Sequence, residues 1–193
     1  MRRFGTALAA LVLASAGLAA TATSATAASA APASATACAT GWGSTTKTAT
    51  PTGYTPLKDI RTGSHACYDR MVFDVPGTGS DRIGYTVSYV NKLYQDGSGQ
   101  FIPVGGGAVL EIRVAAPSYD PETGAATYPG RAGKPLPGVN LTGYKTFKDA
   151  RFATSFEGDT QIGLGVRARL PFRVMQTGDR LVIDVAHSWS AAR

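Results

Sequence analysis

Apolar and polar residues alternate along most of the chain after Gly53. The alternation is clearest in three stretches, which share an apolar residue at every second position: Tyr85, Val87 and Tyr89; Leu110, Ile112 and Val114; and Val166, Ala168 and Leu170. A period of two is typical of β-strands that bury one face. Outside the alanine-rich N-terminus, no window of a dozen residues keeps the 3.6-residue repeat of an amphipathic helix. The pattern therefore predicts strands.

Glycine-rich turns separate the alternating stretches. They lie at residues 96–99, 104–107 and 176–179, where glycine permits the tight backbone of a hairpin or loop. Strands joined by such turns, without helices between them, are typical of sandwiches. We predict an all-β fold of about seven to nine strands in two packed sheets.

One seven-residue pattern occurs twice, as DRMVFDV at 69–75 and DRLVIDV at 179–185. On a strand, the arginine, the middle valine and the second aspartate share one face, and about 13 Å separates Arg70 from Asp74. These charges need partners on another strand, so we predict that the copies pair antiparallel. The expected opposite pairs are Val72 with Val182, Arg70 with Asp184, and Asp74 with Arg180. The alternative is two core strands with charged ends.

A second internal similarity has a different offset. Its members are Tyr54, Lys58, Asp59 and Arg61, which recur 90 positions later as Tyr144, Lys148, Asp149 and Arg151. Together the two similarities favour a duplicated β unit and two pseudo-symmetric sheets, with an added hairpin within 163–174. Chance similarity between β-strands is the competing interpretation.

The N-terminal segment has the features of an export signal. Arg2 and Arg3 precede an apolar run over 4–20, and Ala28-Ser29-Ala30 suits a signal peptidase. We predict a signal peptide over 1–30, a flexible alanine-rich tail over 31–40, and a β domain over 41–190. The apolar run is short for a membrane span, so the mature chain is expected to be secreted or associated with the cell wall, without a membrane span.

The chain has two cysteines, Cys38 and Cys67. In an exported protein such a pair predicts a disulfide, which would stabilise the fold by about 3–4 kcal/mol in the chain-entropy estimate. The alternative is a lipid anchor on Cys38.

The net charge of the whole chain is +6, or about +4 without the signal. Lysines and arginines do not cluster as in nucleic-acid-binding proteins, so no nucleic-acid partner is expected. Weak attraction to anionic wall polymers fits this charge. The alternative is that the charge serves solubility alone.

The sequence has little that indicates catalysis. It has only two histidines, His65 and His187, and lacks a nucleophile-elbow, phosphate-loop or metal-ligand motif. We therefore predict a non-enzymatic protein without a metal or cofactor. The alternative is a secreted hydrolase of envelope polymers that depends on one of these histidines.

The candidate binding residues form two groups. Near the second cysteine they are Arg61, His65, Asp69 and Arg70. In the long proline- and glycine-rich connection over 117–143 they are Tyr119, Tyr128 and Arg131. Aromatic rings beside charged hydrogen-bonding groups suit saccharide or peptide ligands. Roles in turns and in ion pairs at sheet edges are the structural alternative.

Several short segments of the sequence, in this order, resemble the AMIN-like domains of secreted actinobacterial proteins. These domains are relatives of the AMIN domain found ahead of cell-wall amidases and in secretin subunits. The likeness covers about residues 41–188. The matching segments are Gly41-Trp42-Gly43-Ser44, Arg61 with Gly63-Ser64-His65, and residues 68–74, 165–174 and 180–187.

The resemblance implies an all-β fold of two pseudo-symmetric sheets and a non-catalytic role at the cell envelope. It also implies peptidoglycan or a wall-associated protein as the partner. An interaction or inhibitor module that uses the 117–143 loop is a further alternative.

Overall fold

A computed structural model describes Cys38 and residues 41–189. The predicted signal peptide, and the predicted tail apart from Cys38, lie outside the described residues. The described part is all-β, as predicted, and has eleven strands. The strands are β1 Lys47–Ala49, β2 Asp59–Ser64, β3 Tyr68–Asp74, β4 Tyr85–Val90, β5 Leu93–Tyr94, β6 Phe101–Ile102, β7 Ala108–Val114, β8 Phe147–Phe156, β9 Asp159–Val166, β10 Phe172–Thr177 and β11 Arg180–Ala186.

The strands form two packed sheets and a small hairpin. The five-stranded sheet has the order β1-β4-β7-β9-β8, the four-stranded sheet has the order β10-β11-β3-β2, and β5 pairs with β6. The strand count exceeds the predicted seven to nine because β1, β5 and β6 have only two or three residues each. In the part of the chain that the structure describes, no helix is long and apolar enough to cross a membrane.

The core lies between the two sheets. Each sheet contributes the side chains of every second residue, as strand geometry requires, and these form one buried cluster. Fully buried members include Met71, Phe73, Leu181 and Ile183 from the four-stranded sheet, and Leu110, Ile112, Ile162 and Leu164 from the five-stranded sheet. Each such side chain contributes roughly 1.5–3 kcal/mol of hydrophobic stabilisation.

The β5–β6 hairpin covers the outer face of the five-stranded sheet. Leu93 and Ile102 are buried there against Ala153. Two glycines of β9 allow close packing on this face. A Cβ atom on Gly163 would collide with the Leu93 side chain of the hairpin, and one on Gly165 would collide with the backbone of Gly105 in the connection between β6 and β7. Strand β9 is consequently buried on both faces.

The predicted pairing of the two seven-residue copies is confirmed. Strands β3 and β11 are antiparallel neighbours, with Val72 opposite Val182, Arg70 opposite Asp184, and Asp74 opposite Arg180. A local twofold axis therefore passes between the two valines.

The two internal similarities do not belong to one duplicated unit. The seven-residue copies are neighbours within one sheet, whereas Arg61 and Arg151 lie on β2 and β8, at the edges of different sheets. The predicted extra hairpin within 163–174 is wrong, because this segment holds the end of β9, a connection between the sheets and the start of β10.

The predicted strand from Val166 to Leu170 is also wrong. Val166 is the last residue of β9, and residues 167–171 connect β9 to β10. Burial along β9 is nearly continuous from Thr160 to Val166, because the core covers one face and the hairpin covers the other. A strand covered on both faces has no reason to alternate apolar and polar residues.

The 117–143 connection links β7 to β8 and packs against the core. Tyr128 and Leu136 from this segment are buried in the main cluster. A bridge between Pro135 and Arg151 attaches the segment to the edge strand β8. Much of the connection therefore serves the fold.

Candidate functional site

A groove lies on the outer face of the four-stranded sheet. Its floor includes Val72 and Val182, the two residues at the twofold axis, which are only 9% and 6% exposed. Its volume is about 370 Å³. The lining residues are Arg61, Thr62, Gly63, His65, Arg70, Val72, Thr177, Arg180 and Val182.

Four arginines and two aspartates surround this floor. We call the set the arginine face: Arg61, Arg70, Arg173, Arg180, Asp74 and Asp184. Strand alternation explains their orientation, since each occupies an outward position while its neighbours along the strand face the core.

Asp184 organises one end of the arginine face. Arg70 donates to it from Nε at 2.6 Å and from Nη2 at 2.9 Å, and Arg173 donates from Nε at 2.9 Å. The Asp184 side chain is 0% exposed. A carboxylate is stable in such a position only when charged donors surround it. The hydrogen bond to Asp184 raises the pKa of Arg70 above its ordinary value, so Arg70 remains charged.

Asp74 organises the other end. Arg61 donates to it from Nε at 2.5 Å and from Nη2 at 2.7 Å, and Arg180 donates from Nε at 3.2 Å. The hydrogen bond from Arg61 is the main cause that lowers the pKa of Asp74 below its ordinary value. Arg180 is 59% exposed, so this end is open to solvent.

Aromatic rings flank the Asp184 end. We call Trp42, Tyr68 and His65 the aromatic group. The Arg173 guanidinium carbon lies 4.4 Å from the centre of the Trp42 ring and 5.5 Å from that of Tyr68. The Arg70 guanidinium carbon lies 5.2 Å from the Tyr68 ring centre. His65 stacks on Tyr68 with ring centres 4.6 Å apart. Attraction between guanidinium groups and ring faces adds to the ion pairs with Asp184.

The chain is constrained on either side of Trp42. Cys38 and Cys67 are bonded, as predicted, with their Cα atoms 5.4 Å apart, so Cys38, four residues before Trp42, lies beside the start of β3. Phe172 N also donates to Gly43 O at 2.9 Å, which fixes the residue after Trp42 to β10. A lipid anchor would require the Cys38 sulfur that this bond uses.

The sequence-predicted residues near the second cysteine divide between the two faces of the sheet. Arg61, His65 and Arg70 line the groove. Asp69 instead points into the protein and is fully buried, because adjacent residues of a strand face opposite ways. The groove therefore brings together three of these four candidates.

Asp69 joins the two sheets. Its Oδ2 accepts hydrogen bonds from the backbone N–H groups of Thr146 at 2.6 Å and Phe147 at 3.2 Å, at the start of β8. Its Oδ1 lies 3.0 Å from both Ser64 Oγ and His187 Nε2. Burial alone would raise the pKa of Asp69, but these hydrogen bonds, led by that from His187, lower it below its ordinary value.

The arrangement of Ser64, Asp69 and His187 differs from that of a serine hydrolase. In a catalytic triad the histidine lies between the serine and the aspartate. Here Ser64 contacts the aspartate itself, and His187 Nδ1 lies 3.2 Å from the carbonyl oxygen of Ala66. Both nitrogens of His187 thus face acceptor oxygens, and the residue links β11 to the β2–β3 turn.

The candidates of the 117–143 connection lie outside the groove. Tyr128 is a core residue, not a surface ligand: its ring is buried, its hydroxyl donates to Pro137 O at 3.1 Å, and burial raises its pKa. Tyr119 is half-buried and forms a bridge with Ala126, and Arg131 is exposed.

Several residues of the site were not among the predicted candidates: Trp42, Tyr68, Val72, Arg173, Arg180 and Val182. The predicted pairing of the two copies had already placed Arg180 opposite Asp74 and Val182 opposite Val72. Trp42 and Arg173 come from distant parts of the chain, and no local pattern indicates that they meet.

The fold and the site define a β-sandwich with a groove on the outer face of one sheet. Residues 55–187 match the family model described as the AMIN-like domain, and the chain belongs to this family. Neither the curated proteins nor the solved structures contain a match to the chain. The family suggests a cell-wall-related binding module, and the family and the disulfide are consistent with an extracellular or periplasmic location.

Proposed function

We propose that this protein is a secreted, non-catalytic domain that binds peptidoglycan or a wall-associated partner through the arginine face. The observation that carries the proposal is the groove, in which guanidinium groups surround an apolar floor. Membership of the AMIN-like family and the disulfide support an envelope location.

The chemistry of the groove suits a wall polymer. Sugar rings and peptide stems offer apolar surfaces beside amides, hydroxyls and carboxylates, and arginine donates to such oxygens in fixed, forked geometry. The groove volume of about 370 Å³ lies in the range of small-ligand sites, roughly 300–1,000 Å³. A segment of a polymer, rather than a whole globular partner, fits this size.

A non-catalytic role agrees with the roles of the buried polar groups. Asp69 has structural partners on both sheets, His187 links β11 to the β2–β3 turn, and the aspartates of the arginine face are neutralised by arginines. Asp69 and His187 therefore stabilise the fold, and the aspartates of the arginine face position the hydrogen-bond donors of the arginines.

Co-sedimentation with purified wall sacculi tests the proposal. The variant Arg61→Gln/Arg180→Gln removes two cations from the groove, and Arg82→Gln/Arg131→Gln removes two exposed cations elsewhere. We expect the sacculi to retain the wild type and the control, and the groove variant to bind at least about tenfold more weakly.

Three results would contradict the proposal or replace it. Retention no better than that of an unrelated protein of equal charge would contradict wall binding. Loss of binding in the Arg82→Gln/Arg131→Gln variant alone would indicate contacts outside the groove, such as the 117–143 connection. Release of soluble fragments from the sacculi would identify a hydrolase.

A further inference from the structure

We infer that the Asp184 end of the arginine face is an oxyanion subsite. Arg70 and Arg173 bind a carboxylate or phosphate group of an envelope polymer, and the aromatic group contacts the sugar or peptide unit that bears it. This inference rests on the proposed function, and it specifies the chemistry that the groove recognises.

The two ends of the arginine face differ in charge. At the Asp74 end, Lys58, Asp59 and Asp179 line the same hollow as Arg61, Asp74 and Arg180, so cations and carboxylates are equal in number. At the Asp184 end, two guanidinium groups surround one carboxylate. That carboxylate is 0% exposed, while Arg70 and Arg173 are 28% and 38% exposed. Solvent at this end therefore meets positive charge.

The guanidinium groups at the Asp184 end retain free donors. Arg70 uses Nε and Nη2 to hold Asp184, and Arg173 contacts the same carboxylate through Nε and Nη2. Among the residues that the structure describes, neither Nη1 group has an acceptor. Because each Nη1 carries two N–H bonds, the pair offers up to four donors to an incoming anion.

The donors are held in place before any ligand binds. Asp184 fixes both guanidinium groups from below, and the rings of Trp42 and Tyr68 restrict Arg173 from the side. A site whose side chains are already ordered loses less conformational entropy on binding. The same rings present apolar surface beside the anion, which suits a charged group attached to a sugar or a peptide.

The disulfide is part of this subsite through Trp42. Cys67 directly precedes Tyr68 and Cys38 lies four residues before Trp42, so reduction of their bond removes a covalent constraint close to both rings that orient Arg173. We therefore expect reduction to weaken anion binding.

Tryptophan fluorescence provides a direct test. The chain has two tryptophans, and Trp189→Phe leaves Trp42 as the only reporter. The probes are N-acetylmuramic acid, which has a carboxylate, glycerol phosphate, and uncharged N-acetylglucosamine, all at constant ionic strength. We expect saturable changes with the two anions and none with the neutral sugar. The stronger anion identifies the source, because a carboxylate indicates peptidoglycan and a phosphate indicates phosphodiester polymers.

Matched variants locate the binding site. Arg173→Gln should weaken anion binding by about tenfold or more, since it removes charge-assisted hydrogen bonds. Arg173→Lys, which keeps the charge without the fork, should fall between that variant and the wild type. Arg61→Gln, at the neutral end, should change the affinity by less than about twofold. Thermal unfolding of each variant shows whether it is folded, and Arg173→Lys remains informative if Arg173→Gln is not.

Several results would overturn the inference. They are an equal response to the neutral sugar, the absence of any response in folded protein, and an equal loss of affinity in Arg61→Gln and Arg173→Gln. This assay contains no wall material, so its failure differs from failure of the proposed function. Sacculus binding that depends on Arg61 and Arg180, without anion binding at Arg173, would leave the proposed function intact and remove the subsite.

Discussion

The outer face of one sheet is covered by other parts of the chain, whereas the outer face of the other sheet is open to solvent. On the five-stranded sheet, the glycines of β9 allow the β5–β6 hairpin and the connection after it to pack closely, and the face is buried. On the four-stranded sheet, arginines and aspartates occupy the corresponding outward positions, and the face keeps an open groove. The inward positions of both sheets are similarly apolar. The outward residues therefore decide which sheet is available for binding.

Polar groups on the two faces are used differently. On the covered face, Gln161 is buried, its Oε1 accepts from Asp96 N at 2.9 Å, and its Nε2 donates to Tyr94 O at 2.9 Å. Its amide therefore serves to attach the hairpin. On the open face, the arginines satisfy the aspartates and still have donors that contact no described residue. The covered face uses its polar groups for the fold, whereas the open face leaves some of its donors accessible to solvent.

The largest loss of stability should come from Asp69→Asn, because Asp69 holds the two sheets together through its hydrogen bonds. The amide cannot accept all the hydrogen bonds from Thr146, Phe147 and His187. We expect a loss of roughly 3–5 kcal/mol in the free energy of unfolding, measured by urea denaturation. Asp74→Asn on the open face is the control, with an expected loss of about 1 kcal/mol or less. Similar losses in both variants would refute a special role for Asp69.

A pair of glycine substitutions compares the two faces directly. In Gly165→Ala the new methyl group meets the backbone of Gly105, and overpacking of this kind costs roughly 1–3 kcal/mol. In Gly63→Ala the Cβ would lie 3.7 Å from His65 Nε2, an ordinary contact, and stability should change by less than about 1 kcal/mol. Thermal unfolding measures both. Equal destabilisation would show that the connection between β6 and β7 does not pack closely against β9.

Low pH should reduce the free energy of unfolding, because two aspartates have lowered pKa values in the folded protein. The folded-state pKa values of Asp69 and Asp74 lie below the ordinary value. Their contribution is therefore complete above the unfolded-state pKa, near 4, and is lost as the pH falls through the folded-state values. Urea denaturation between pH 7 and pH 2 should show a plateau followed by a decline below about pH 4. Asp74→Asn should reduce that decline by about 1 kcal/mol or less, and an unchanged stability down to pH 2 would contradict the assignment.

The smallest stability effect should come from Arg180→Gln. Arg180 is an exposed partner of Asp74, and exposed ion pairs contribute little, so the free energy of unfolding should change by less than about 0.5 kcal/mol. A thermal shift assay can establish this limit. A larger loss would mean that the open face also stabilises the fold.

The sequence was most informative where one face of a strand is buried and the other is not. Strands β4 and β7 follow the predicted alternation, and the pairing of β3 with β11 follows from the charges of the repeated pattern. Strand β9 was missed because both of its faces are covered. The proline and glycine residues around Tyr128 predict an exposed loop, whereas its ring lies in the core.

The site was only partly predictable, because it combines local and distant residues. Arg70 and Asp69 are adjacent in the sequence, but neighbouring residues of a strand face opposite sides of the sheet, so only Arg70 lies in the groove. Trp42 and Arg173 come together where Gly43, next to Trp42, accepts a hydrogen bond from Phe172, next to Arg173. Neither residue lies in a pattern that indicates the other, so only the assembled sheet brings them together.

The repeated strand pattern is self-complementary. When Asp-Arg-x-Val-x-Asp-Val is read antiparallel against itself, each arginine faces an aspartate and the middle valines face each other, as β3 and β11 show. The same complementarity holds between molecules. If β10 and β11 detach, β3 becomes an edge strand that accepts β11 of a second chain as readily as its own, so domain-swapped dimers are the expected by-product of refolding at high concentration.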